Sequence, residues 1–132
     1  MSLHTLLFPA ESRTFPGKRW SNVLLRSGHL CAAAVYSGGL YFMVEPDQLA
    51  PWYLLTAVSG GLMLAADLYS NGKHLFQNRG FFILVKLLIL GLLFHTDTTS
   101  SWAILAIIFL SGITSHATGR FRYYSIFHGR QL

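Results

Sequence analysis

Long apolar stretches, separated by short polar segments, dominate the chain. Four such stretches are predicted, at about 21–44, 52–70, 81–95 and 101–118. None shows the strict alternation of apolar and polar residues that is typical of a barrel strand, so each is predicted to be a helix. Their lengths approach the roughly 20 residues that a helix needs to cross a bilayer. The pattern therefore predicts an all-α fold, an integral membrane four-helix bundle.

The composition agrees with this prediction. Of the 132 residues, 52% are hydrophobic and only 11% are charged, whereas soluble domains carry roughly 25% charged residues. The chain therefore lacks the polar surface of a water-soluble domain. Its formal net charge is +5, but the basic residues flank the apolar stretches, as they commonly do in membrane proteins. Nucleic acid is for this reason not expected as a partner.

The charges between the stretches predict an orientation. Basic residues precede the first stretch, separate the second from the third and follow the fourth: Arg13, Lys18, Arg19, Lys73, Arg79, Arg120, Arg122 and Arg130. The other two connections contain Glu45, Asp47 and Asp97 and no Lys or Arg. Because basic loops remain in the cytoplasm, we expect a multi-pass protein of the cell (inner) membrane with both termini cytoplasmic.

Two segments flank the predicted bundle at 21–118. Residues 1–20 mix apolar and basic side chains and are predicted to lie at the membrane surface or to be partly ordered. Residues 119–132 form a basic aromatic cytoplasmic tail that is expected to contact lipid phosphates or a partner. The tail residues assigned to that contact are Arg120, Arg122, Tyr123, Tyr124 and Arg130.

Five Arg, Lys, Asp and His side chains lie inside the apolar stretches, with His95 at the rim of the third, and a charge inside the bilayer costs roughly 2.5–3.5 kcal/mol. They are Arg26, His29, Asp67, Lys86 and His116. A helical rise of about 1.5 Å per residue places all five in the cytoplasmic half of the membrane. Because they come from four different helices, we expect them to converge on one buried site. Asp67 is then the expected counter-ion of Lys86, Arg26 or both.

The two histidines in this set suggest a cofactor. As axial ligands, His29 and His116 would hold haem b, with Lys86, Arg26 and Asp67 around it and a basic side chain paired with a propionate. A copper or zinc site is one alternative. A proton path through the histidines and Asp67 is another.

A packing role is the simplest alternative, because polar side chains also determine which membrane helices associate. Small residues beside the polar faces favour close approach of the helices. The pairs expected to do so are Gly28 with Ala32, Ala34 with Gly38, Gly61 with Ala65, and Ser111 with Ser115.

Two segments resemble helices of known membrane proteins. They are HLCAAAVYSGGLYF at 29–42 and FILVKLLILGLL at 82–93. Both are similar to helices of the copper-resistance D-like membrane proteins and of the HemJ-type protoporphyrinogen oxidases, over the first three stretches. The resemblance implies a four-helix protein associated with haem. It implies functional roles for His29 and Lys86 only.

Three functions remain as expectations. The first is a cofactor-binding or redox-associated membrane protein. The second is a non-catalytic accessory subunit of a larger membrane complex, and the third is a small metal or proton transporter. The expected partners are the lipid bilayer and either subunits of a membrane complex or further copies of the chain. No motif assigns a reaction, so the residues leave enzymatic activity open.

Overall fold

The computed structural model describes residues 7–95 and 100–131, and most of this part of the chain is helical, as the sequence predicts. Two short strands, β1 (Tyr124–Ser125) and β2 (Arg130–Gln131), form an antiparallel hairpin that the sequence pattern does not predict. The chain forms two compact units, residues 1–71 and residues 72–132.

The first unit is a helical hairpin of α1 (Lys18–Tyr41) and α2 (Pro46–Ser70). Helix α2 begins six residues before the predicted start near Trp52, because Pro46 occupies the first turn. Proline is well suited to the first helical position, since its fixed φ is already helical and its missing N–H has no partner there anyway. The helix also continues through Pro51.

Small residues bring the two helices together. A Cβ added at Gly39 would overlap the side chain of Leu49, and one added at Gly60 would lie 3.1 Å from the His29 ring. By contrast, a Cβ added at Gly38 or Gly61 would meet nothing within 4 Å. The close approach in this hairpin therefore falls one residue away from two of the predicted positions.

The segment before α1 is bonded to the end of α2. The backbone N–H of Arg13 donates to the Ser70 carbonyl at 2.9 Å, and its guanidinium donates to the Tyr69 carbonyl at 3.2 Å. Lys18 Nζ donates to Ser70 Oγ at 2.6 Å. The last carbonyls of a helix have no intrahelical partner and carry its negative dipole end. The backbone and the side chain of Arg13 therefore cap α2, and Lys18 binds the side chain of its last residue.

The second unit contains helices on both sides of the undescribed residues 96–99. A 3₁₀ turn at Gly72–Leu75 leads into α3 (Asn78–His95), and α4 is Ser101–His116. A single-turn helix, α5 (Gly119–Arg122), and the β1–β2 hairpin complete the unit.

Most apolar side chains of the long helices lie on the outside. Among the described residues, the buried apolar ones are Ala32, Leu49 and Ile104. Helix α2 is long and apolar enough to cross a membrane. The mean hydropathy of its most apolar 18-residue segment is 1.5, and 11% of that segment is buried. It is the one helix of the described ranges that meets both criteria, and α4 is a shorter apolar helix.

Candidate functional site

His29 is held between the two helices of the first unit. Its side chain is half-buried on α1, and Nδ1 lies 2.9 Å from Ser59 Oγ on α2. Ser59 is itself buried and its hydroxyl reaches the Leu55 carbonyl at 2.6 Å and the Thr56 carbonyl at 3.1 Å. The His29 side chain thus has a hydroxyl partner on the neighbouring helix.

The contacts of the Ser59 hydroxyl favour one tautomer of His29. A hydroxyl has one proton, and the short contact to the Leu55 carbonyl takes it. This contact favours the tautomer of His29 in which Nδ1–H donates to Ser59 Oγ. In the neutral ring the lone pair is left on Nε2. Metal-bound imidazoles commonly have this arrangement, with the other nitrogen donating to a fixed acceptor.

Gly60 makes room for the ring. An added Cβ at this position would lie 3.1 Å from Cε1 and 3.6 Å from Nδ1 of His29. Such a Cβ would press on the edge of the imidazole that faces Ser59. The two adjacent residues of α2, Ser59 and Gly60, therefore define both the hydrogen bond and the position of the ring.

The charged residues of the first unit do not form an ion pair around His29. Arg26 is exposed on α1, and Asp67 is half-exposed on α2. Within residues 7–95 and 100–131, the structure places neither side chain in a hydrogen bond or salt bridge. The expected Asp67–Arg26 pair is therefore not formed in this unit.

Lys86 has a hydroxyl partner of the same kind in the second unit. Its Nζ donates to Ser111 Oγ at 2.9 Å, which links α3 to α4. The Ser111 hydroxyl in turn donates to the Ile107 carbonyl at 2.7 Å. Both pairs of helices thus contain a cross-helix bond between an ionisable side chain in the middle of one helix and a serine on the other.

His116 is the last residue of α4 and its side chain is exposed. It belongs to the second unit, together with Lys86, whereas Arg26, His29 and Asp67 belong to the first. The convergence of all five on one site stays a prediction.

The C-terminal residues fold onto the start of α3. Asn78 Nδ2 donates to the Phe121 carbonyl at 2.9 Å, and the Phe82 and Phe121 ring centroids are 6.0 Å apart. The guanidinium of Arg79 lies 4.9 Å from the centroid of the Tyr123 ring, and that of Arg122 lies 5.8 Å from it. The predicted tail is thus a folded element of the second unit over its described length.

Tyr123 and Tyr124 are exposed, as are Arg120 and Arg130, while Arg122 is half-buried. The Nε of Arg122 is buried and has no hydrogen-bond partner in the described part of the chain.

Ser59 and Ser111 are the functional candidates that sequence reasoning missed. Each lies within an apolar stretch, where a hydroxyl usually bonds back to its own helix. Each is also bonded to an ionisable side chain of the opposite helix, and no signal in the sequence identifies that partner.

Within the described ranges, no group of three or more His, Cys, Asp or Glu side chains is placed to hold a metal ion. No family model, curated protein or solved structure matches the chain.

Proposed function

We propose that the chain is an integral membrane protein of four spans, α1 to α4, in the cell (inner) membrane, with both termini in the cytoplasm. The exposure of α2 supports this proposal. The core helix of a soluble protein would be mostly buried, whereas only 11% of the apolar 18-residue segment of α2 is buried. Apolar surface on this scale is stable only against lipid or another protein. The basic connections support the orientation.

The lengths of the helices are compatible with four crossings. At the helical rise of about 1.5 Å per residue, α3 is about 27 Å long and α4 about 24 Å. The hydrocarbon core is about 30 Å thick. Short spans are accommodated by local thinning of the bilayer at a modest cost.

Within the membrane, we propose a non-catalytic accessory role in a larger assembly. The observation that carries this proposal is the pairing of His29 with Ser59 and of Lys86 with Ser111. This pairing gives His29 and Lys86, which are costly to place inside a membrane, a role in packing. Interhelical hydrogen bonds help to determine which membrane helices associate. The outward apolar faces are then available to partner subunits as well as to lipid.

The test is affinity purification of the full chain from solubilised membranes. We expect stoichiometric partner proteins to co-purify with the wild-type chain. They should still do so with His29→Ala, because an interhelical hydrogen bond of this kind contributes only about 0.6 kcal/mol. Ala32→Leu is the contrasting variant: it overfills the buried α1–α2 contact and should reduce recovery. A chain that purifies alone would contradict the accessory role.

A second candidate function, haem b binding, is favoured by the proton assignment of His29. A haem supplies four nitrogen ligands of its own, so the chain need contribute only one or two axial ligands. The imidazole of His29, held in position by its bond to Ser59, is one candidate for that role, and His116 is the other. A copper or zinc site requires more ligands from the chain.

The haem proposal is tested by a reduced-minus-oxidised absorption spectrum of the detergent-purified protein. We expect a haem signal that is lost in His29→Ala. Ser59→Ala removes the hydrogen bond to Nδ1 and should lower haem affinity by about tenfold, as loss of such orienting partners does at metal sites. His95→Ala, at the exposed end of α3, is the matched control. A colourless wild-type protein, or equal spectra from His29→Ala and His95→Ala, would refute haem ligation by His29.

A further inference from the structure

The positive charge of the chain is concentrated in its second unit. Residues 1–71 contain four basic and four acidic residues, so they contribute no net charge. Residues 72–132 contain six basic residues and a single acidic one, Asp97. The whole formal charge of +5 is therefore located in this half. No acidic residue follows Asp97, so the C-terminal element is purely basic.

A groove of about 550 Å³ opens on this basic element. It lies where two helices end, since Asn78 is the first residue of α3 and Thr118 follows the last turn of α4. In the proposed topology these helix ends meet the cytoplasmic headgroup layer. The volume falls within the 300–1,000 Å³ that is usual for small-molecule sites. It is enough for a lipid headgroup and the first part of one acyl chain.

The lining of the groove is amphiphilic. Phe82, Phe121 and Ile126 form an apolar wall, and Arg120 lies beside it. In the described ranges, the Arg120 guanidinium makes no hydrogen bond or salt bridge. An apolar wall next to an unneutralised cation matches a ligand that has a hydrocarbon chain and an anionic headgroup.

Asn78 adds a buried hydrogen-bond acceptor. The residue is 4% exposed, and its Nδ2 is committed to the Phe121 carbonyl. Its Oδ1 is buried and has no hydrogen-bond partner among the residues that the structure describes. An unpaired buried acceptor costs about 1–3 kcal/mol. A ligand that brings an N–H or O–H donor to this groove would recover part of that cost.

We propose that this groove binds one anionic phospholipid of the phosphatidylglycerol type from the cytoplasmic leaflet. Its phosphate pairs with Arg120, its acyl chain lies along Phe82 and Ile126, and a headgroup hydroxyl donates to Asn78. A choline headgroup has neither net negative charge nor a donor, so phosphatidylcholine is excluded on both grounds. The inference rests on the proposed membrane location.

The experiment is a lipid titration of the purified, delipidated full chain, followed by native mass spectrometry. We expect one phosphatidylglycerol to be retained in preference to phosphatidylcholine and to phosphatidylethanolamine, and excess inorganic phosphate should not displace it. Arg120→Gln should weaken retention about fivefold, the contribution of one basic residue at a membrane surface. Arg19→Gln, exposed on α1, makes the same charge change outside the groove and should have no effect.

Ile126→Asp is the second variant. Ile126 is exposed, so the fold should persist, but the new carboxylate would repel a phosphate in the groove. Equal retention of phosphatidylglycerol by wild type, Arg120→Gln and Ile126→Asp would refute lipid binding in the groove, but it would not affect the proposed membrane location. Equal retention of all three lipids would overturn the headgroup preference. Recovery of the wild-type chain in the soluble fraction without detergent would overturn the membrane location, and the lipid with it.

Discussion

Gly80→Ala should lower the free energy of unfolding by about 3 kcal/mol, at the upper end of the usual cost of overpacking. A Cβ at this position would overlap the backbone carbonyl of His74 and the Cα of Leu75. Backbone atoms of a tight turn cannot move aside as the end of a side chain can. The 3₁₀ turn at Gly72–Leu75 would have to separate from α3, which would disturb the start of the second unit.

Thermal unfolding of the detergent-purified protein, followed by circular dichroism, measures this effect. Gly91→Ala is the matched control, because it lies on the same helix and an added Cβ there would meet nothing within 4 Å. This control should keep or slightly raise the midpoint, since alanine has the higher helix propensity. Equal midpoints for the two variants would show that Gly80 does not pack against the turn.

Val58→Arg should strongly reduce the amount of protein in the membrane. Val58 lies at the centre of α2 and is 52% exposed. If α2 crosses a bilayer, an arginine there costs roughly 2.5–3.5 kcal/mol on insertion scales. If α2 were a surface helix of a soluble protein, the same substitution at an exposed site would change stability by less than about 0.5 kcal/mol. The two architectures therefore predict different results.

The measurement is the fraction of chain that resists alkaline extraction from membranes, together with its total amount in cells. Ser21→Arg provides the control: it is exposed in the first turn of α1, beside Lys18 and Arg19, where an added arginine reaches the headgroups. We expect wild-type amounts from Ser21→Arg. Wild-type amounts from Val58→Arg would argue against a membrane-crossing α2.

The helices could be predicted from the sequence because apolar stretches of this length have few alternative structures. Their starts were harder to predict. Pro46 lies between the first two predicted stretches, where a proline is compatible with the end of one helix and with the first turn of the next, and α2 begins there. Local sequence does not distinguish these two roles.

The packing positions show a similar limit. Consecutive residues lie about 100° apart around a helix, so only one of two adjacent glycines can face the partner helix directly. The spacing of residues along the sequence does not say which one does. Gly39 and Gly60 make the close approach, and the adjacent Gly38 and Gly61 do not. The choice between them depends on how the partner helix is rotated, which only the folded hairpin determines.

The candidate site could be predicted in part. His29 and Lys86 were recognisable because ionisable groups are costly inside apolar helices. Their partners, Ser59 and Ser111, were not recognisable, because a serine in an apolar run gives no indication of what lies across from it. The β1–β2 hairpin has strands of two residues each, too short for any alternation to be detected.

The bonds from Arg13 and Lys18 to Ser70 have a consequence for biosynthesis. They close a loop that contains both α1 and α2, and every residue in that closure precedes position 72. A nascent chain halted at that point already has all that the loop requires. The first hairpin therefore needs no residue beyond position 71 for this closure, and it can form before the second unit has left the ribosome.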